Sequence, residues 1–402
     1  MRIIYISTVF PKPEQSSTIY TDLAEQLVEQ GHQVTVVVAE ERRKYKETGI
    51  VYERGCEVFR VKTGNMYDVN IIEKGISIVT LSFFLKRAVK KNFEKRKFDL
   101  VLFEAPPLTL ASVVEYVKRL FGIPAFLMMK DIFPQNAIDI GMMRKDIIYY
   151  YFKLQEKKLY RIADGIGCMS QGNLDYIVEH NEVSAEKLSI FPNTKKIRNI
   201  ERKKTLSVRD KYGIPHEKVV FVFGGNMGKP QGLKFLCDAI QQFSEDENVF
   251  FLLVGRGTER KYVSQKLNEC KNARVLDSLP RDEYELLIQE CDVGLISLDY
   301  RFTIPNFPSR ILSYMEYKMP VLAATDSITD FRNLIEGADC GIWCESNDIK
   351  AFCDAVRLIA NDEGLREKMG ENGNRFLKEN YDVNISVHLL ENFMNRFCGK
   401  ED

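Results

Sequence analysis

Glycines 224, 225, 228 and 232 fall between an apolar run, VVFVF at 219–223, and an amphipathic stretch that ends near Phe243. Glycine leaves backbone N–H groups open to close approach, and the start of a helix adds oriented donors with partial positive charge. Strand, glycine loop and helix in that order suit a phosphate group; the alternative is a tight strand-to-helix turn with no ligand. A second group of chemically able residues lies earlier in the chain. Lys130 and Asp131 follow the apolar run PAFLMM, and Glu104 closes the run FDLVLF just ahead of Pro106 and Pro107. In a parallel sheet such positions fall at the carboxyl edge, where ligands bind. Asp-Ile-Phe-Pro-Gln is a polar interruption after a core strand and marks Asp131 as functional; the alternative is a surface Lys–Asp ion pair worth little.

Metal chemistry is not expected. The histidines at 32, 180, 216 and 388 lie far apart, with no HExxH spacing, and no D-x-D triplet occurs. The nine cysteines form no CxxC pair and are scattered over apolar segments, a pattern of reduced, packed thiols. No resident cofactor is expected. The opening residues MRIIYISTVFP lack the features of a signal peptide. The apolar stretch 76–85 falls well short of the roughly 20 residues that cross a bilayer. The expectation is a cytoplasmic protein, soluble or peripheral on the inner face of the plasma membrane.

The elements that must position these groups alternate. RIIYIS, a helix over 18–30, HQVTVVVAE, FDLVLFE, a helix over 111–121 and PAFLMMKD follow one another; a long helix over 146–160 and short strands in DGIGCMS and LSIFPN complete the first half. Continuous apolar strands separated by amphipathic helices imply a parallel sheet covered on both faces. At 193–205 the chain turns basic and polar, NTKKIRNIERKKT, as a linker does. Alternation then restarts with KVVFVFG and continues through VFFLLVG, ARVLDS, VGLISL and PVLAAT, with helices between them. A chain of 402 residues also fits two domains of about 200 residues better than one core. The expected organisation is an α/β protein of two Rossmann-like, doubly wound domains facing a cleft, 1–199 and 200–375, with a C-terminal helix over 376–402 crossing back to the first.

Formal net charge is zero, but residues 1–199 carry thirty Lys/Arg against twenty-four Asp/Glu, leaving twenty-seven against thirty-three in the remainder. The first domain is therefore the one suited to an anionic surface or substrate. Between 83 and 98, FFLKRAVKKNFEKRKF interleaves seven basic residues with four phenylalanines. This pattern fits a basic amphipathic helix on an anionic membrane, contacted through Lys86, Arg87, Lys90 and Lys91. The alternative is a solvated helix face with its phenylalanines in the core.

Several collinear segments resemble retaining glycosyltransferases of the GT-B fold, glycosyltransferase family 4, in the bacterial polysaccharide branch related to WbuB-type enzymes. They include FPKPEQSSTIYTDLAEQLVEQGHQVTVV, MKDIFPQNAIDIG, GGNMGKPQGL, LLVGRGTER and PNFPSRILSYMEYKMPVLAATD. The resemblance implies transfer of a sugar from a nucleotide donor, held mainly by the C-terminal domain, to an acceptor held mainly by the N-terminal one. The amides of Gly225 and Asn226 and the side chains of Lys229 and Gln231 would face the diphosphate, whose charge as leaving group must be stabilised. Arg256 would reach a phosphate or the base, or else cap a helix at the surface. Ser16 and Ser17 lie in the first strand-to-helix loop on the acceptor side, where relatives usually have glycines, and Glu104 shares that side. Lys130 and Asp131 stand where relatives often carry a His-Asp pair that contacts the transferred sugar or the acceptor.

Two departures from the family pattern matter. Asn226 and Gln231 replace an arginine and a lysine, which removes two charges from the diphosphate site; Arg310, with its planar fork of donors, is the first candidate to restore one. The two glutamates that relatives place eight residues apart correspond to Pro305 and Ser313. Glu316, on roughly the same helix face, is the substitute expected for the ribose anchor, with a solvated helix glutamate as its alternative. The loop 305–309, with Asn306, Phe307 and Ser309, would offer backbone amides to the sugar and diphosphate. The implied activity is metal-independent hexosyl or related transfer to a lipid-linked saccharide during capsule, exopolysaccharide or O-antigen assembly. Front-face attack fits the lack of a carboxylate nucleophile. The competing reading is a non-catalytic GT-B partner that binds sugar or stabilises another transferase. No nucleic-acid partner is expected.

Overall fold

Apolar runs that are buried on both faces become parallel strands in this chain, and several of the helices between them start at a side-chain cap. The computed structural model describes residues 1–43, 48–65, 69–200 and 206–399. The Glu201–Thr205 part of the expected linker lies outside them. Two compact units emerge: Met1–Lys196 together with the chain from Val383 onward, and Ile197–Asp382.

The first unit holds β1 (Arg2–Ser7), β2 (Gln33–Glu41), β3 (Gly49–Glu53), β4 (Cys56–Thr63), β5 (Leu100–Ala105), β6 (Ala125–Met129), β7 (Gly165–Cys168) and β8 (Leu188–Ile190). Their order is β3-β4-β2-β1-β5-β6-β7-β8. All neighbours are parallel except the β3–β4 hairpin. Thr18 caps the helix Ile19–Glu29 by accepting from Thr21 N, and Asp146 caps Ile147–Ile162 by accepting from Ile148 N at 2.9 Å. One core cluster packs Ile4, Phe59, Phe103 and Leu127 beneath the helices Ile71–Phe93, Ala111–Phe121 and Ile147–Ile162. On the other face, the helix Val383–Phe397 seats Phe393 5.1 Å from the ring of Phe126.

The stretch between β2 and β5, which has no continuous apolar run, forms the hairpin and the 23-residue helix Ile71–Phe93. The expected basic helix over 83–98 therefore begins earlier and stops sooner. Phe93 and Phe98 are in the core, whereas Phe83 and Phe84 are exposed.

The second unit holds β9 (Val219–Asn226), β10 (Val249–Arg256), β11 (Ala273–Leu276), β12 (Val293–Ser297), β13 (Val321–Thr325) and β14 (Gly341–Glu345) in the order β11-β10-β9-β12-β13-β14, all parallel. The strand order reverses between β1 and β5 in one unit and between β9 and β12 in the other. Open α/β sheets bind ligands at the carboxyl ends of strands beside such reversals.

Candidate functional site

In the second unit the glycine loop grows out of β9 at the reversal. Gly225 takes φ +129°, a conformation that disfavours side chains, and its backbone is exposed. A Cβ added at Gly255 would lie 1.8 Å from Gly225 O, so the ends of β9 and β10 are zipped together without room for a side chain. Met227 N donates to Arg256 O at 2.8 Å, and Lys229–Gln231 form a single 3₁₀ turn before the helix Leu233–Gln241. Asn226, Lys229 and Arg256 are exposed beside this loop.

Arg310 enters the same place from the segment after β12. Its guanidinium carbon lies 4.4 Å from the centre of the Phe223 ring and 3.8 Å from where a Cβ on Gly225 would stand. Nη2 donates to Gln231 Oε1, while Nη1 is buried with no hydrogen-bond partner. Burial lowers the proton affinity of this arginine, and among the described residues no carboxylate pairs with it. A guanidinium does not give up its proton in a protein. A fixed positive charge therefore stands at the loop without a counter-ion among the described residues.

Glu316 is placed differently from either expectation. It is fully buried and accepts from Arg198 N at 3.0 Å and from Arg198 Nη2 at 3.3 Å. Its carboxylate is engaged by a neighbour and is neither solvated nor open to a ribose. Ser313 is half-buried one turn beyond Arg310, and Ser309 is exposed. The ring of Phe307 turns inward, 5.7 Å from Phe331 and 5.7 Å from Tyr381. Asn306 N donates to Thr329 Oγ1 at 3.2 Å, and Thr329 Oγ1 donates to Asp326 Oδ2 at 2.9 Å. Asp326 also accepts from Thr329 N and Ile328 N; burial nevertheless pushes its carboxyl up to about 6.

Sequence reasoning missed Asp326 and Thr329, which anchor the 305–309 loop, and the tyrosines beneath the glycines. Tyr314 donates to Val222 O at 3.1 Å and receives Gly224 N at 3.3 Å; the oxygen of Tyr284 lies 1.9 Å from where a Cβ on Gly224 would be. Tyr314 stands four residues after Arg310 on one helix face, and that spacing was the available signal.

In the first unit, Glu104 spans the reversal between β1 and β5. It accepts from Ser7 Oγ at 2.7 Å and Thr8 N at 3.1 Å, while Oε2 is buried without a partner. Burial pushes its carboxyl up to about 7. Lys130 does not pair with its neighbour Asp131: Nζ donates to Asn193 Oδ1 at 2.8 Å and lies 5.4 Å from the centre of the Phe191 ring. Burial lowers the ammonium to about 7. Asp131 is pushed up to about 6 by burial, and its Oδ1 has no partner. Ser16 and Ser17 are half-buried in the β1–helix loop, and Ser16 O accepts from Arg54. The three titratable groups lie at the carboxyl ends of β5 and β6 with proton affinities shifted by burial, a pattern frequent at functional sites.

Among the described residues no group of three or more His, Cys, Asp or Glu side chains could hold a metal ion, and no helix is long and apolar enough to cross a membrane. Lys86 is half-buried near Lys158 and Arg119, and Arg87, Lys90 and Lys91 are exposed on the same helix.

Comparison with known proteins follows these two units. Residues 16–194 match the model of Glycosyltransferase Family 4 and residues 205–376 that of Glycosyl transferases group 1. WbjE of Pseudomonas aeruginosa, named as a glycosyltransferase, is 24% identical over 325 residues, 79% of each chain. WcaI of Escherichia coli K12, named as a colanic acid biosynthesis glycosyl transferase, is 22% identical over 360 residues, covering 84% of this chain and 86% of that one. Among solved structures, HepE of Anabaena in complex with UDP-glucose superposes with a TM-score of 0.72 at 16% identity, covering 98% of this chain and 99% of that one. Both halves are thus matched in order on a GT-B architecture of two mostly parallel sheets, and the chain belongs to glycosyltransferase family 4.

Proposed function

We propose that the protein transfers a sugar from a uridine diphosphate donor to a saccharide acceptor during assembly of a bacterial surface polysaccharide. One observation carries this reading: the half-buried Arg310 side chain at the carboxyl end of β9, whose Nη1 is buried without a partner and with which no carboxylate among the described residues pairs. A cation with a buried, unpartnered nitrogen is costly, and a diphosphate against the amides of Gly225 and Asn226 supplies the missing charge. Lys229 and Arg256 are exposed beside the loop and add positive charge for the same ligand. The names of WcaI and HepE support the polysaccharide context and the uridine donor respectively.

The first unit holds the acceptor in this reading. Asp131 and Lys130 contact the transferred sugar or the attacking hydroxyl, and Glu104 fixes the acceptor side. With no carboxylate nucleophile assigned, attack proceeds on the face from which the diphosphate leaves, and the departing phosphate takes the proton. No metal is required for this step. The product retains the anomeric configuration of the donor, and an inverted product would overturn the mechanism.

The second reading, a GT-B partner that binds a nucleotide sugar without turning it over, is favoured by one feature. Glu316, the substitute expected for the ribose anchor, is instead held by Arg198. Thermal unfolding with UDP, GDP, ADP and UDP-sugars separates the readings at the first step, because a ligand of the native state raises the melting temperature. The expected result is stabilisation by uridine nucleotides, lost in Arg310→Ala. A charge-assisted contact is worth about 1.5–3 kcal/mol, so affinity for UDP should fall roughly ten- to a hundredfold. Slow hydrolysis of the UDP-sugar without acceptor supports the enzyme; binding without any turnover supports the partner.

A further inference from the structure

The glycine loop and Arg310 are joined by one side chain, Gln231. Its Oε1 accepts from Arg310 Nη2, and the Phe223 ring lies 4.4 Å from the guanidinium carbon. These two contacts hold the fork in one orientation, with Nη1 left over and buried. An arginine side chain carries considerable rotamer freedom, so a fork that is already fixed loses less on binding an anion. The chemistry of the acceptor also matters. An amide oxygen is neutral: it orients the guanidinium and leaves its charge uncompensated. A carboxylate at the same place would form a buried ion pair and compete with any incoming anion. A lysine there would repel the guanidinium.

We infer that Gln231 is a positioning residue that presents Arg310 to the donor diphosphate, and that the neutrality of its amide sets the affinity of this site for anions. Gln231 thus acts through Arg310, in contrast to the direct phosphate contact expected of it from the sequence. The inference rests on the nucleotide-donor reading given above.

Calorimetry with UDP and with uridine tests it on the full chain, comparing the unaltered protein with Gln231→Glu and Gln231→Ala. The nucleoside lacks the diphosphate and reports the base and ribose contacts alone. In Gln231→Glu, affinity for UDP should fall by about tenfold or more and affinity for uridine should hold, because the guanidinium is neutralised locally. The ligand-free protein should at the same time melt at a higher temperature, since its buried cation has gained a partner. Gln231→Ala should weaken UDP by only a few fold, as the charge remains and only its orientation is lost. UDP binding unchanged in Gln231→Glu overturns the inference and leaves the donor reading standing. Equal losses for UDP and uridine also overturn it, because a merely structural role would produce them. Failure of the unaltered protein to bind UDP, GDP or ADP overturns the donor reading and this inference with it.

Discussion

Glu104, Asp131 and Lys130 meet at one sheet edge with proton affinities that oppose the usual pH dependence of stability. The carboxyls of Glu104 and Asp131 are raised by burial to about 7 and about 6, so between their unfolded and folded values the native state binds more protons than the unfolded chain. Stability then falls as pH rises through that window. Lys130, lowered by burial to about 7, has the opposite sign above it: the unfolded chain binds the extra proton, and stability rises from about 7 toward 10.5. Melting temperature followed from pH 5 to pH 7 should therefore decline in the unaltered protein. One proton held by the native state alone gives a slope of about 1.4 kcal/mol for each step of one in pH, and Glu104→Gln should remove a large part of it. A slope unchanged by the substitution would mean that Glu104 is ionised in the native protein. The sequence marked these three residues by their places after apolar runs. The burial of Lys130 was not visible there, because it depends on Phe191 and Asn193, which arrive from the segment after β8.

Elements legible from the sequence were those with a continuous apolar run or a clear cap. β1, β2, β5, β6, β9, β10, β12 and β13 are such runs, and the helices expected from 18 and 146 begin one residue later, with Thr18 and Asp146 as their caps. The β3–β4 hairpin was illegible, since its edge strand alternates half-buried with exposed residues and its partner hides the charged Arg60. That hairpin has a structural task. Arg54, at φ +55° in its turn, donates to Pro11 O, Lys12 O and Ser16 O and pairs with Glu25 at 2.5 Å, while Arg60 donates to Phe10 O at 3.1 Å. The two arginines thus hold four carbonyls of the β1–helix loop that carries Ser16 and Ser17. A loop without glycines at 16 and 17 is fixed here from outside rather than by its own backbone. Arg54→Ala should speed amide exchange across residues 10–17 by an order of magnitude or so, about the loss of one charge-assisted contact, and should leave UDP affinity unchanged. Protection equal to that of the unaltered chain would show that the loop holds itself.

At the scale of the molecule, the sequence indicated two doubly wound α/β units with a chain end returning to the first; the returning helix buries Val387, Leu390 and Phe393 in that unit's core and bonds Ser386 to Thr194 at 2.7 Å, contacts that no local pattern announces. Surface character is likewise a product of the whole first unit. Ile76, Val79, Phe83 and Phe84 are exposed along Ile71–Phe93, with Val79 72% accessible. Ile147, Ile148, Tyr150, Tyr151 and Leu154 are exposed along Ile147–Ile162, with Ile147 at 84%. Both helices belong to the layer that also contains Ala111–Phe121, and Lys86, Arg119 and Lys158 lie near one another within it. We propose that these apolar side chains enter the headgroup boundary of an anionic bilayer while Lys86, Arg87, Lys90 and Lys91 meet its lipid phosphates. Each basic residue near such a surface contributes about 1 kcal/mol. Neutralising all four should therefore lower flotation with anionic vesicles by roughly two to three orders of magnitude in partition coefficient. Ile147→Ser with Leu154→Ser should weaken flotation further without altering its salt dependence. Equal flotation with neutral and anionic vesicles would remove the electrostatic contribution. No flotation with either would assign the exposed side chains of these two helices to another partner.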